Sequence, residues 1–152
     1  MPKFNFRLQG YLGLKEKLED QRKQEYGRAM SELERERGKL EDLETRRAET
    51  IAAFRDELAA AVSPQRAGNY NNFLSWLKAS VKHQTARVQR AEAEAERRRA
   101  ALTDAMKERK MLETLKDKDY ADYVREQNLA EQKAADETVS FRHKGRGREY
   151  GG

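Results

Sequence analysis

YNNFLSWLKASVKHQTARVQRAEAEAERRRAALTDAMKERKML, residues 70–112, carries the repeat that decides the fold. Within it Tyr70, Leu74, Leu77, Val81, Gln84, Val88, Ala91, Ala95, Arg98, Leu102, Ala105, Arg109 and Leu112 follow one another at alternating steps of four and three. The seam persists for about six heptads, longer than the three or four that define a coiled coil. Most positions between are Lys, Arg, Glu, Gln or Ala. A helix with so narrow an apolar stripe is not stable alone in water, so it needs a partner helix of similar length.

The partner lies upstream. Between Pro2 and Pro64 no proline interrupts a helix. Leu8, Tyr11, Leu14, Leu18, Tyr26, Ala29, Leu33, Leu40, Leu43, Ile51, Phe54, Leu58 and Val62 also step mostly by three and four, with polar gaps at Arg22, Glu36 and Arg47. Gly10, Gly13, Gly27 and Gly38 each cost about 1 kcal/mol relative to Ala, which makes this the softer helix. Ser63-Pro64 marks the reversal, Ser as N-cap and Pro at the first helical position, and Gly68-Asn69 extends the turn or offers a second cap. These signals predict helix 1 over about residues 6–62, a turn at about 63–69 and helix 2 over about 64–137.

A short connection makes the two helices antiparallel neighbours. Folding back around residues 63–69 sets Leu40 near Ala91, Leu43 near Val88, Ala29 near Leu102, Phe54 near Leu77 and Leu18 near Leu112. Apolar meets apolar, which predicts an all-α fold: one long antiparallel two-helix coiled coil, an α-hairpin spanning about residues 1–140. At about 1.5 Å per residue helix 2 would be about 110 Å long, a rod that is monomeric on its own. Arg98 and Arg109 weaken the seam locally, while Ala91, Ala95 and Ala105 let the backbones approach, so the seam trades stability for compliance. Beyond Leu112 it continues less strictly through Leu115, Tyr120, Tyr123, Gln127 and Ala130. Tyr120, Tyr123, Leu129 and Val139 either overhang the partner helix as a docking site or pack on Phe4, Phe6 and Leu8.

The tail, FRHKGRGREYGG at 141–152, holds four glycines and five basic residues and predicts a disordered basic end. Its Gly-Arg-Gly-Arg run has the chemistry for RNA or acidic lipid, but one short copy does not carry that reading. Charged residues make up 39% of the 152, the net charge is +5 and the mean hydropathy is −1.12, too polar for a thick globular core. Both signs are interspersed along the helices, the pattern of a solvated face laced with i,i+4 pairs, so no nucleic-acid partner is expected. The absence of cysteine excludes disulfides and thiolate metal sites. No apolar run approaches the roughly 20 residues of a membrane span, and the N-terminus lacks the apolar segment of a signal peptide.

Catalysis is not expected. His83 and His143 lie far apart, and there is no phosphate-binding loop and no H-E-x-x-H. Pairs such as Glu92 and Glu96 are helix-surface charges without the closed pocket that shifts a pKa. The chain therefore reads as no enzyme, with no catalytic residue, no metal site and no cofactor.

Three motifs carry a family resemblance. FNFRLQ (Phe4 to Gln9), followed by Leu12, Leu14, Lys15 and Glu16, resembles the start of the FliJ family of flagellar export-apparatus proteins. NYNNFLSWL (Asn69 to Leu77) resembles the family's second-helix start. ERKMLETLKD (Glu108 to Asp117) and EQKAADE (Glu131 to Glu137) resemble its C-terminal signature. The resemblance covers almost the whole chain in the family's order. It implies a cytoplasmic coiled coil, peripherally associated with the inner face of the membrane at the flagellar basal body, in the type III export apparatus. Such a protein resembles the central stalk of rotary ATPases. Its terminal helix ends insert in the ring of the export ATPase hexamer and stimulate it, its other end faces the export gate membrane protein, and it handles export chaperones. For the ATPase contact the resemblance implies Arg7, Gln9, Lys15, Lys116, Tyr123, Gln132 and Lys133. The gate-facing stripe, through N-Y-x-x-F-x-x-x-L, falls on Phe73 and Leu77 and continues to Ser80 and Gln84, where some relatives have Ala and His. The residues alone give Leu77 a different role, as a seam position. Alternatives are the equivalent stalk of a virulence type III secretion system and a scaffolding coiled coil unrelated to secretion.

Overall fold

Two helices, α1 (Gln9–Ala59, 51 residues) and α2 (Pro64–Glu149, 86 residues), make up the fold as an antiparallel hairpin, and no strand occurs among the described residues. The structure is a computed structural model that describes residues 3–149, with side chains over 3–145. It divides into a terminal unit, Met1–Lys17 with Met106–Gly152, and a turn unit, Leu18–Ala105.

In the turn unit the reversal is shorter than the expected 63–69. The Ala60 amide donates to the carbonyls of Asp56 and Glu57, both at 3.2 Å, and Ala61 follows at φ 68°. That is the left-handed position after a helix C-terminus, usually held by Gly because Cβ opposes it. Ser63 then caps α2, its Oγ accepting from the Arg66 amide at 3.3 Å, with Pro64 at the first helical position. Gly68 and Asn69 lie inside α2. Two changes are expected to stabilise the chain. Ala61→Gly relieves the positive φ, and Gly38→Ala restores helix propensity where an added Cβ meets nothing within 4 Å. Each is expected to add about 0.5–1 kcal/mol, measured by urea unfolding.

Moving the turn back moves the register by one heptad. Phe54, expected beside Leu77, stacks on Tyr70 at 4.9 Å, one heptad earlier in α2. Leu33, Val88 and Ala95 form the buried centre, with Ala29, Met30, Leu40 and Ala91 packed on it. The α2 seam is as expected: Leu77, Gln84, Val88, Ala95 and Ala105 are buried. Of the expected polar gaps in the α1 seam, Glu36 is only 3% exposed, Arg22 is half-buried and Arg47 is exposed; Glu19, not among them, is also buried. Arg98 is not a bare defect either; it pairs with Glu25 on α1 at 3.3 Å and with Glu94 at 2.8 Å.

In the terminal unit α1 begins at Gln9 rather than near residue 6. Phe6 is buried, its carbonyl closes a turn by accepting from the Gln9 amide at 3.0 Å, and Phe4 packs on α2. Helix α2 runs past the expected end near 137, through the segment read as an irregular tail, to Glu149. After Pro64 no proline breaks the helix. Residues 128–145 are exposed throughout, and 150–152 lie outside the described residues.

Candidate functional site

The strict four–three heptad of α1, extended back through the terminal unit, falls on Leu8, Leu12 and Lys15. Leu12 is 2% exposed and Lys15 is half-buried. On α2 the same repeat falls on Arg109, Leu112, Lys116, Asp119 and Tyr123, all half-buried. Charged side chains therefore occupy much of this seam, and Lys15, Arg109 and Lys116 among them have partners. Lys15 Nζ meets Glu108 at 2.8 Å, Lys116 Nζ donates to Gln9 Oε1 at 2.7 Å, and Arg109 meets Glu113 at 2.8 Å. The Glu108 carboxylate holds the Lys15 ammonium above the usual lysine range.

Apolar side chains take the outside. Leu14 is 61% exposed, Met111 72% and Tyr11 50%, and Leu115 is also exposed. Tyr11 and Leu14 flank Lys15 on α1, while Met111 and Leu115 stand one and two turns after Glu108 on α2. The Lys15–Glu108 bridge thus joins the two outer faces, and Lys15 Nζ also lies 5.1 Å from the Tyr11 ring. Nearer the chain end Phe4 packs edge-on to Tyr120 at 5.2 Å and on Tyr123 at 5.4 Å, with Leu129 exposed beyond them.

The expected ATPase-contact residues divide by role in this geometry. Arg7, Gln132 and Lys133 are exposed. Gln9, Lys15, Lys116 and Tyr123 instead hold α1, or the segment before it, against α2. Tyr11, Leu14, Met111 and Leu115 are a surface that sequence reasoning missed. The signal was present: Tyr11 and Leu14 each stand one position off the strict repeat through Leu12 and Lys15.

The four residues of the expected gate stripe are not one surface. Phe73 is exposed and stacks on Trp76, itself 55% exposed, at 5.8 Å. Leu77 is fully buried, Ser80 is half-buried, and Gln84 is buried against Glu36. Leu77 and Gln84 face the seam because they are heptad positions of α2, so a partner cannot reach them while the helices are paired. Phe73 also lines a shallow notch with Arg66, Asn69 and Tyr70.

The carboxylates of the turn unit are held in their charged forms. A hydrogen bond from Gln84, then Arg87 and Lys39, lowers Glu36 below the usual carboxylate range; Arg22 and Arg98 lower Glu25; Arg66 and then Tyr70 lower Glu57. For a depressed folded pKa the stabilisation is complete above the ordinary value and is lost as pH falls through the folded one. The melting temperature is therefore expected to hold from pH 7 down to about 5 and to fall progressively below 4.5, followed by circular dichroism.

Among the described residues no group of three or more His, Asp or Glu is placed to hold a metal ion. No described helix is long and apolar enough to cross a membrane. The family described as flagellar FliJ protein matches the chain over residues 4–148. None of the curated proteins compared with the chain matches it. Among solved structures the chain is similar to CT670 from Chlamydia trachomatis, described as a proposed homolog of YscO. The TM-score is 0.69 and the identity 21%, over 93% of this chain and 96% of that one, a likeness of fold.

Proposed function

The chain belongs to the FliJ family, flagellar components of the type III export apparatus, and on that footing we propose that it is a stalk-like coiled coil that binds the export ATPase ring through its terminal unit. One observation carries this reading: in that unit charged residues line the seam while Tyr11, Leu14, Met111 and Leu115 face outward. A helix pair that turns Lys15 toward its seam and exposes Leu14 places apolar surface where it does not serve its own folding. Exposed apolar groups rimmed by charge mark a protein-binding surface. Arg7, Gln132 and Lys133 are the polar rim of the contact, and Gln9, Lys15, Lys116 and Tyr123 hold its two sides together.

The gate-facing contact is assigned to Phe73 with Trp76, flanked by Ser80; Leu77 and Gln84 support that surface from the seam. The aromatic pair is stacked and accessible, the form an anchor takes at an interface. Handling of export chaperones and peripheral association with the membrane belong to the same reading on the family resemblance alone. The equivalent stalk of a virulence export system would share the fold, and the match to the flagellar family over residues 4–148 favours the flagellar apparatus.

The test is to add the full chain to the flagellar export ATPase of the same organism and to follow ATP hydrolysis and ring assembly together. Stimulation of both, with co-elution, is the expected result. No stimulation and no co-elution would put the scaffolding coiled coil first.

A further inference from the structure

We infer that the buried Glu36–Gln84 pair is a register lock, selecting one of two helix registers, one heptad apart, that the seam of the turn unit supports. In the observed register the Gln84 amide donates to the Glu36 carbonyl at 2.9 Å and also to the Glu36 carboxylate. The two residues are 7% and 3% exposed. Two further charged groups face Glu36: Arg87 from α2 at 3.4 Å and Lys39 from α1 at 4.0 Å.

The apolar positions do not choose between the registers. Sliding α2 by one heptad, about 10 Å, sets Leu40 beside Ala91, Leu43 beside Val88, Ala29 beside Leu102 and Phe54 beside Leu77. Apolar still meets apolar at each of these layers. The connection does not choose decisively either. The displaced register puts the reversal at residues 63–69, where Gly68 suits a turn and Asn69 suits an N-cap. The Glu57–Arg66 pair beside the observed turn would break; it is bidentate, at 2.7 and 2.6 Å, and adds to the preference for the observed register, but Arg66 is exposed, so it contributes less than a buried layer does.

The polar layer does choose. In the displaced register Ala91 stands opposite Glu36 and Leu43 opposite Gln84. The carboxylate and the amide would then both be buried without each other, and Arg87 would move away with Gln84. Burying polar groups without partners is strongly disfavoured, whereas the matched pair is tolerated. A single polar layer fixes register in this way at some cost in stability.

The chain has no cysteine, so disulfide trapping reads the register directly. Glu25→Cys with Arg98→Cys reports the observed register, in which these two positions face each other across the helices. Glu25→Cys with Ala105→Cys reports the displaced one. With the lock intact, the first pair is expected to close in a glutathione buffer at least about tenfold more than the second. Transplanting the amide by one heptad, Gln84→Leu with Ala91→Gln, is expected to invert that ratio. A second variant, Glu36→Leu with Gln84→Leu, leaves the seam apolar in both registers. It is expected to melt higher than the parent chain and to form both disulfides. If the transplanted chain is helical and still closes only the first pair, or if the apolar variant forms only the first disulfide, the inference is overturned and the register is set elsewhere.

Discussion

Leu77→Ala is expected to destabilise the folded chain by about 2–5 kcal/mol, read as a drop in the urea midpoint at unchanged slope. Leu77 is fully buried, and the buried hydrophobic residues are otherwise few: Phe6, Leu12, Leu33, Val88, Ala95 and Ala105. A thin seam has no second layer to collapse into the space a leucine leaves, and total stabilities are commonly only about 5–15 kcal/mol. The result matters for function because Leu77 also stands in the proposed gate-facing stripe. Leu77→Met keeps the volume and is expected to cost less than about 1.5 kcal/mol, so loss of gate binding confined to the Ala variant would be a folding effect. A Leu77→Ala chain that unfolds like the parent would remove Leu77 from the seam.

The second large effect is on binding. Leu14→Ser combined with Met111→Ser is expected to weaken association with the export ATPase by at least tenfold, and about a hundredfold if both side chains are central anchors. The same double variant is expected to leave stability within about 0.5 kcal/mol of the parent, because both side chains are mostly exposed. Leu12→Ser, one helical position from Tyr11, should do the reverse and unfold the terminal unit, since Leu12 is 2% exposed. Titration calorimetry against the ATPase, with thermal melts of each variant, separates the two. Unchanged affinity in the double variant would mean that the exposed leucine and methionine are not the contact.

Much of this fold is legible in the residues. The α2 seam from Tyr70 to Leu112 is regular and mostly apolar, so a period of seven can be read off it, and Ser63-Pro64 starts α2 where cap chemistry places it. What is not legible follows from competition between signals. Along the first turns of α1 the strict repeat passes through Leu12, Lys15, Glu19 and Arg22, so hydrophobicity draws attention to Tyr11, Leu14 and Leu18 instead. Leu14 is outside for that reason, and the candidate docking surface was hidden in an assumed core. The register was open because residues 60–63 and Gly68-Asn69 can each reverse the chain. The buried Glu36–Gln84 contact, which links residues 48 positions apart, distinguishes the outcomes most strongly, with the Phe54–Tyr70 stack and the Arg98–Glu25 pair on the same side. Helix α2 extends past residue 137 because glycine weakens a helix without forbidding it, whereas a proline would stop it.

The most direct measurement of the central claim is the accessibility of single cysteines placed in this cysteine-free chain. Leu14→Cys, Met111→Cys and Trp76→Cys chains, each labelled with a maleimide and followed by mass, are compared with and without the assembled export ATPase. If the outer face of the terminal unit is the ring contact, labelling at 14 and 111 slows at least about tenfold on binding while labelling at 76 stays as fast as in the free chain. Equal labelling at 14 and 111 in the bound and free chain, with slowing at 76 instead, would contradict the claim and move the ATPase contact to the turn unit.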